Sequence, residues 1–474
     1  MPGIGSFCVV DDDRPISESD TASNFFLATT SGSKSRSQVA SEFLQELNPD
    51  VQGSYRSVPS LTQITDWKTA LKTDKPKSLV IASDLESKVL EVLSQECASG
   101  SIPLIIVQSY GLIGIVRLQV TEPTALLEPK PTNAPPDLRL KTSFPALENM
   151  AKSIDLTKLE SHQHGHVPYP ILLIKAAQEW KESHDGQLPG NFTEKQEFKD
   201  FVKSKSRDYN QELNFQEAIQ NAYLAYTERD VIAPENLDKN GTLNRLYSAL
   251  HTFMEQHNGR PPLNGSIPDM TANTDWYVQL QQIYKDQAEQ DLNAMIQLVG
   301  PEIPKDDVAT FCANVYSVSQ IQTVSLAQEW KITPDFETID ELKMALMDPY
   351  EIPEQTPMLW YLGVRACQVF SSKYQRYPGT LENDWESDIP LLQACYTQIV
   401  QHYGLHDQEL LKSHATGICH ELTRYANAEI HNIASVVGGV ASQEAVKIIT
   451  GQYIPLNNTY VFNGIVGVGG VYQF

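Results

Sequence analysis

The first residues whose spacing could do chemistry are Gly3 and Gly5, a GxG placed ahead of an apolar strand at 7–10 and the acids Asp11–Asp13. In nucleotide-binding βαβ units, glycines approach the phosphates and an acid at the carboxyl end of a strand binds the ribose. Here no strand precedes the glycines and no third glycine follows at the required spacing. The pattern therefore favours a turn into a strand whose acids are solvated, and it predicts no cofactor-binding residue.

Three alternating histidines, His162, His164 and His166, suggest a metal site because imidazole is a common ligand. Alternating side chains point to one side only in an extended segment, and no cluster of acids or thiols accompanies them. The sequence favours a loop that leads into a helix at Pro168, and we predict no metal site.

The six cysteines are scattered and include no CxxC pair, which argues against a zinc ribbon and a disulfide-dense scaffold. A cysteine nucleophile needs a base and an exposed, electropositive setting. Cys367 and Cys395 lie in apolar helical patterns, and Cys419, with His414 and His420 close in sequence, is the best thiol candidate. Core packing is favoured for all three cysteines, so we predict no catalytic residue.

Composition narrows the choice of partners. The chain has 474 residues and a formal net charge of −23. A nucleic-acid-binding surface neutralises phosphates with Lys and Arg, so this charge argues against nucleic acid and favours basic protein partners. No stretch has the composition of a signal peptide, a transit peptide or a membrane span. We expect two or three domains and a cytoplasmic and nuclear location.

The elements that would position these residues begin with an α/β segment at 1–143. Strands are predicted at 51–58, 79–83, 103–109 and 114–120, and helices at 37–47, 67–71 and 86–97. Buried strands alternating with helices predict a parallel sheet covered on both faces. Residues 122–137 hold five prolines and are predicted to be a linker.

Helical patterns dominate the next segment, 144–425. They predict helices at 168–183, 194–202, 215–227, 243–257, 276–298, 339–347, 358–373 and 391–403. An aromatic residue followed eight or nine residues later by proline occurs three times, at Trp180, Phe253 and Phe370. This pattern predicts a repeated helix ending, and its irregular spacing argues against a solenoid.

The last segment, 426–474, starts with an apolar stretch at 430–449 that is crowded with small residues. Its period predicts a buried helix, too short and too polar to span a membrane. After Gly451 the period becomes two and predicts short strands, which need a sheet to join. The only good candidate for that sheet is at the other chain end. The sequence therefore predicts an α/β fold, with a Rossmann-like sheet assembled from both chain ends and a large, mainly helical insertion.

Several blocks carry a close family resemblance that runs in register from Pro2 to Phe474. They are GIGSFCVVDDD, SNFFLATT, SEFLQELNPDV, PLIIVQSYGLIGIVR, GSIPDM, RYPG and AEIHNIASVVGGVASQEAVKIITGQYIPLNNTYVF. In this order and spacing they resemble the regulatory subunits of the heterodimeric activating enzyme for the ubiquitin-like modifier of neddylation. The resemblance implies a ThiF, adenylation-type sheet and an insertion similar to a catalytic-cysteine domain without its cysteine.

The resemblance also implies that the chemistry belongs to a partner. The catalytic subunit would use ATP and Mg to adenylate the C-terminal glycine of the ubiquitin-like modifier, form a thioester, and transfer the modifier to a conjugating enzyme. An active half would follow its strand-end acids with an Asn-Arg-Gln stretch, whereas this chain has Asn24-Phe25-Phe26-Leu27. An apolar ring cannot offset phosphate charge as a guanidinium can. We expect a non-catalytic, pseudo-adenylating subunit without a cofactor of its own.

Two alternatives stay open. A self-sufficient adenylating or dinucleotide-dependent enzyme would need a phosphate loop, which the sequence lacks. A helical scaffold or adaptor with a degenerate nucleotide-binding sheet would have no effect on activation of the modifier.

The start of the chain departs from the family pattern. Family members have a helix, a strand and a second helix ahead of the GIGS block, and this chain starts at that block. We expect either a start at an internal methionine or a truncated isoform, with unpaired backbone on the two strands that flank the missing one.

The predicted contact with the partner is an apolar stripe at the start of a helix. Its residues are Met270, Trp276, Tyr277, Leu280 and Ile283. Aromatic residues and methionine are enriched at the centres of interfaces. Packing of this stripe inside the insertion is an equally good interpretation.

Overall fold

The computed structural model describes residues 4–12, 15–27, 34–61, 78–122, 124–127, 135–231, 233, 241–346, 355–381, 384–451 and 453–474. Gly3, Asp13 and the helix predicted at 67–71 lie outside these residues. Contacts divide the chain into two compact units. Unit 1 comprises Met1–Leu126 and Gln320–Phe474, and unit 2 comprises Leu127–Ser319.

The limits of these units lie elsewhere than the predicted domain limits at 143 and 425. The reason is that the helical segment after residue 356 packs on the C-terminal strands and so belongs to unit 1. Unit 1 is nevertheless built from both chain ends, as the sequence predicts.

Nine strands occur in the described part of the chain. In order they are β1 Ser6–Asp12, β2 Gln52–Val58, β3 Val80–Ser83, β4 Leu104–Tyr110, β5 Ile113–Gln119, β6 Thr124–Leu127, β7 Val318–Ile321, β8 Thr459–Asn463 and β9 Val468–Tyr472. The main sheet of unit 1 has the order β3-β4-β5-β8-β9, so β5 pairs with a strand from the other chain end. β6 and β7 form a separate two-stranded sheet, and β6 lies within the predicted linker.

The main sheet is mixed rather than parallel. β3 and β4 are parallel, whereas β4, β5, β8 and β9 run antiparallel. Only Gly111 and Leu112 connect β4 to β5, and a parallel pair would need a crossover of about a dozen residues. Gly111 has a φ of 56°, and a Cβ there would lie 2.2 Å from the Tyr425 ring, so the turn requires glycine.

β1 and β2 form their own parallel sheet, with Ser6 opposite Gln52. In the described part of the chain, neither strand is hydrogen-bonded to the five-stranded sheet.

The α-helices of the described residues number seventeen. In chain order they are α1 Glu18–Ser23, α2 Arg36–Leu47, α3 Ser87–Ser99, α4 Pro145–Ser153, α5 Ser161–His164, α6 Tyr169–Ser183, α7 Phe192–Ser204, α8 Leu213–Gln220, α9 Thr242–Gln256, α10 Thr274–Val299, α11 Lys305–Ala313, α12 Leu326–Glu329, α13 Phe336–Leu346, α14 Pro357–Tyr374, α15 Asp388–His402, α16 Glu409–Tyr425 and α17 His431–Thr450.

Helices cover both faces of the main sheet. Successive residues of a strand point to opposite faces, and β4 follows this rule. Leu104 and Ile106 share a buried cluster with residues of α3, whereas Ile105 and Val107 share one with α17. α14 packs on β8 and β9 and is buried along most of its length. The sheet thus lies between two helical layers, as expected for an α/β fold.

A buried ionic network joins the two chain ends inside unit 1. The Arg117 guanidinium of β5 lies 2.6 Å from the Glu329 carboxylate of α12, and both side chains are almost fully buried. Arg117 also donates to Asn458 at 3.1 Å and to the Thr459 hydroxyl at 2.9 Å. The Tyr361 hydroxyl donates to Glu329 at 3.0 Å. Four segments that are far apart in sequence therefore depend on one charge pair.

The RYPG block forms a turn fixed by a buried acid. Arg376 holds the Asp388 carboxylate through two nitrogens, at 2.5 and 2.6 Å, and the Gly379 amide donates to the same carboxylate at 2.8 Å. Asp388 has no exposed surface. The role of this block is therefore structural.

Unit 2 is helical and confirms the repeated helix ending at two of the three predicted places, Trp180 and Phe253. After α6, the His184 ring stacks on Trp180 at 3.8 Å, and after α9 the His257 ring stacks on Phe253 at the same distance. Gly186 and Gly259 then turn the chain with φ near 78°. Each helix thus ends in a ring that covers the previous turn, followed by a glycine in the left-handed region.

Candidate functional site

The acids at the carboxyl end of β1 meet a cation from within the chain. Arg36 lies 3.1 Å from Asp11 through Nε and 3.1 Å from Asp20 through Nη1. Asp20 also caps α1, because its carboxylate accepts from the Ser17 amide at 2.8 Å. The prediction that these acids are solvated is thus wrong for Asp11, because Asp11 forms an ion pair with Arg36, the first residue of α2.

Phe25 stands where the resemblance implies that an active half carries arginine. Its side chain is 89% exposed, and its ring meets the Phe26 ring edge-on at 5.7 Å. An exposed aromatic ring offers no hydrogen-bond donor to a phosphate. Phe25 itself could therefore not hold a phosphate, and the absence of a cofactor stays a prediction.

Five of the six cysteines are buried and therefore lack the exposed setting that a nucleophile needs. Cys97, Cys312, Cys367, Cys395 and Cys419 are buried, and Cys8 is exposed on β1. Burial raises the pKa of the Cys419 thiol to about 12, so this thiol is protonated at neutral pH. His420 packs against the Trp385 ring instead. Cys419, the best thiol candidate in the sequence, is a core residue.

The three alternating histidines do not converge on one point. His164 is buried, and its Nδ1 lies 2.6 Å from the Glu212 carboxylate. His162 and His166 stack on each other at 4.4 Å. No metal-binding cluster of histidines, cysteines and acids occurs among the described residues. The segment is the short helix α5, rather than the predicted loop.

The face of α17 that points away from the sheet is exposed and lined with small residues. The residues along this face are small and exposed: Ala434, Ser435, Gly438, Gly439 and Ser442. No heavy atom other than the helix's own backbone and the neighbouring residues lies within 4 Å of where a Cβ of Gly438 or Gly439 would be. Each glycine costs an exposed helix about 1 kcal/mol relative to alanine, so packing of another chain on this face would offset that cost. We call these five residues the small-residue face.

The prediction of a fully buried helix is therefore wrong for one side of α17. The opposite side packs on the sheet through Ile433, Val437 and Ala441. Gly114 of β5 permits this contact, because a Cβ there would lie 2.4 Å from Val437. The periodicity and the small residues were visible in the sequence, but the burial of only one side was missed.

Among the described residues, α17 is the one helix whose length and mean hydropathy of 1.2 would allow it to cross a membrane. The prediction that this stretch is too short and too polar for a span is therefore wrong by length and composition. The core helix of a soluble protein meets the same criterion, so one such helix is weak evidence for a span. The buried side of α17 packs on β4 and β5.

The stripe predicted as the partner interface lies at the start of α10 and just before it. Leu280 is fully buried in the core of unit 2, so it has no surface to offer a partner. Met270, Trp276 and Ile283 are half-buried and pack against the same core, and Tyr277 is half-buried. Packing within unit 2 therefore accounts for Leu280, and a partner contact at the other four stays a prediction.

Comparison with known proteins agrees with the resemblance seen in the sequence. Residues 1–468 match the ThiF family. The NEDD8-activating enzyme E1 regulatory subunit of Xenopus laevis is 33% identical over 504 residues, which cover 100% of this chain and 91% of that protein. The subunit of the same name from Danio rerio is 32% identical over 501 residues with the same coverage. The Arabidopsis thaliana NEDD8-activating enzyme E1 regulatory subunit AXR1 is 32% identical over 492 residues, 98% of this chain and 87% of that protein. The chain therefore belongs to the ThiF family, in the group of NEDD8-activating enzyme E1 regulatory subunits.

Proposed function

We propose that this chain is the regulatory subunit of a heterodimeric NEDD8-activating enzyme and pairs with a catalytic subunit. In this proposal the catalytic subunit holds ATP and Mg, adenylates the C-terminal glycine of the modifier, and forms the thioester that passes to a conjugating enzyme. This chain contributes surfaces and no reacting group. It acts in the cytoplasm and the nucleus.

The observation that carries the proposal is similarity to E1 regulatory subunits along the whole chain. Phe25, in place of arginine, and the Asp11–Arg36 ion pair support a non-catalytic role. The small-residue face supports a close-packed partner, since helices approach to about 8 Å only where their facing side chains are small.

Exchange of labelled pyrophosphate into ATP, in the presence of the modifier, tests the division of labour. We expect no exchange with this chain alone, and exchange when it is mixed with its catalytic subunit. Exchange by this chain alone would overturn the non-catalytic role. Equal exchange by the catalytic subunit with and without this chain would favour a scaffold that takes no part in activation.

Replacing Gly439 with Leu is expected to weaken binding of the catalytic subunit at least tenfold. The added side chain would stand between α17 and a close-packed partner helix, while the isolated chain has open space at this position. Leucine is also the better helix former, by up to about 1 kcal/mol, so the thermal midpoint of the isolated chain should not fall. Association is measured by isothermal titration calorimetry or analytical ultracentrifugation.

The matched control is Gly417→Leu on α16. Gly417 is also exposed and has no heavy atom within 4 Å of its would-be Cβ, apart from its own helix backbone and neighbouring residues. This control should bind like the unchanged chain. If Gly439→Leu also binds normally while Trp276→Ala weakens binding, the partner contacts the Met270–Ile283 stripe instead of the small-residue face.

A further inference from the structure

Unit 2 contains a cavity of about 250 Å³. Its walls come from the segments around Arg139, Arg229 and Arg260, together with Tyr223 and Tyr316. The volume is near the lower end of the roughly 300–1,000 Å³ of small-molecule sites. A small anionic group, rather than a whole nucleotide, matches this size.

The cavity is rich in bases although the chain carries a net charge of −23. Four bases line it, Arg139, Lys141, Arg229 and Arg260, against three acids, Asp137, Glu228 and Asp230. Two of the acids already face cations.

Asp137 accepts from Arg139 through both carboxylate oxygens, at 2.8 and 2.9 Å. Glu228 lies 3.4 Å from the Lys141 ammonium and also accepts from the Thr142 hydroxyl. These pairings leave two arginines, Arg229 and Arg260, and one acid, Asp230, in the lining.

Arg229 and Arg260 have no carboxylate partner in the part of the chain that the structure describes. Arg229 donates to the Tyr316 carbonyl at 3.0 Å, and its guanidinium lies 4.8 Å from the centre of the Tyr316 ring. Arg260 donates to the carbonyls of Thr142 at 2.8 Å and His257 at 3.3 Å. A guanidinium has five N–H donors, so both arginines keep donors for a ligand.

The wall that carries these arginines is held in place before any ligand arrives. Arg139 is 92% buried, since its side chain is 8% exposed, and it donates to the Pro261 carbonyl at 2.7 Å, next to Arg260. Its φ of 52° lies in the left-handed region, which non-glycine residues adopt at a cost and which occurs often at binding sites. Fixed arginines lose little side-chain freedom on binding.

We propose that this cavity binds an oxyanion of the phosphate type, inorganic phosphate or a phosphate monoester, through Arg229 and Arg260. One arginine fork matches the two oxygens of a carboxylate, whereas the oxygens of a phosphate can accept from two guanidinium groups together. The proposal goes beyond the subunit role and does not depend on it.

Isothermal titration calorimetry of the full chain with inorganic phosphate, at constant ionic strength in a phosphate-free buffer, tests the proposal. We expect saturable binding at one site. The double variant Arg229→Gln/Arg260→Gln should bind at least tenfold more weakly. Arg245→Gln, which removes an exposed arginine outside the cavity, should bind like the unchanged chain.

A second variant tests the site without removing either arginine, in case the double variant does not fold. Thr227→Asp adds a negative charge to the wall at an exposed position and keeps both arginines. It should weaken phosphate binding at least tenfold while leaving the thermal midpoint of the chain unchanged. Two further probes complete the set. One is a short peptide that contains a single phosphoserine, and the other is acetate. Binding of the peptide identifies a phosphorylated protein as the source, and binding of phosphate alone identifies a free anion.

The proposal is overturned if phosphate does not bind at millimolar concentration. Binding that is equally strong in Thr227→Asp and in the double variant would also overturn it, because the anion would then lie elsewhere. Equal affinity for acetate and phosphate would reject the phosphate-type ligand.

Discussion

Replacing Glu329 with Gln is expected to lower the free energy of unfolding of unit 1 by about 3–5 kcal/mol, the usual cost of removing one partner of a buried ion pair. Glu329 faces Arg117 at 2.6 Å with both side chains buried, and the Tyr361 and Tyr403 hydroxyls donate to its other oxygen. The amide would leave the Arg117 charge uncompensated. It would also present N–H donors to groups that are themselves donors.

Hydrogen–deuterium exchange of peptides from β5 and β8 measures this loss in unit 1 alone. Peptides from α6, in unit 2, should exchange as in the unchanged chain. Glu91→Gln is the matched control within unit 1, because it breaks the solvent-accessible pair with Lys331 and should cost less than about 1 kcal/mol. If β5 is as well protected from exchange in Glu329→Gln as in Glu91→Gln, the buried pair does not hold the two chain ends together.

The Arg117–Glu329 pair also shows which kind of contact a single sequence does not predict. Patterns of period 2 and 3.6 are local, and they located most elements within a few residues, including α10 at Thr274–Val299 against the predicted 276–298. Arg117 lies inside a strand pattern, and its contact with Asn458 joins residues 341 apart in sequence. A single sequence carries no local signal for such a contact, so a buried arginine there was not foreseen.

The small-residue face shows a different limit. The sequence displayed the glycines and the apolar steps of α17, and both were interpreted as signs of burial. Composition cannot tell which side of a helix meets its own sheet and which side stays exposed. That assignment needed Gly114, whose missing Cβ lets Val437 reach β5 and so fixes the rotation of the helix.

The two regions also differ in how much of each a local sequence pattern shows. The aromatic residue Phe25 stands where the resemblance implies arginine in an active half, and it is visible in a stretch of four residues. The cavity in unit 2 was not visible, since Arg139, Arg229 and Arg260 come from three separate segments. Chemistry that depends on one short motif can be predicted, and chemistry assembled by tertiary packing cannot.

Gly379→Ala is expected to cost unit 1 about 3 kcal/mol or more, because left-handed backbone and overpacking each cost about 1–3 kcal/mol. Gly379 has a φ of 82°, and a Cβ there would lie 1.8 Å from the Thr423 carbonyl oxygen. Relief of this clash would move the turn away from Asp388, which accepts from the Gly379 amide and from Arg376. Exchange rates of peptides from α15 and α16 measure the loss.

Gly467→Ala, in the same unit, separates the cost of left-handed backbone from the cost of the clash. Gly467 has a φ of 75°, and no heavy atom lies within 4 Å of its would-be Cβ, its chain neighbours aside. This control therefore changes the backbone preference without adding a clash, and it should cost about 1–2 kcal/mol. The excess cost of Gly379→Ala then measures the contact with Thr423. Equal costs for the two variants would mean that the RYPG turn can move away from α16, and that Asp388 does not fix it.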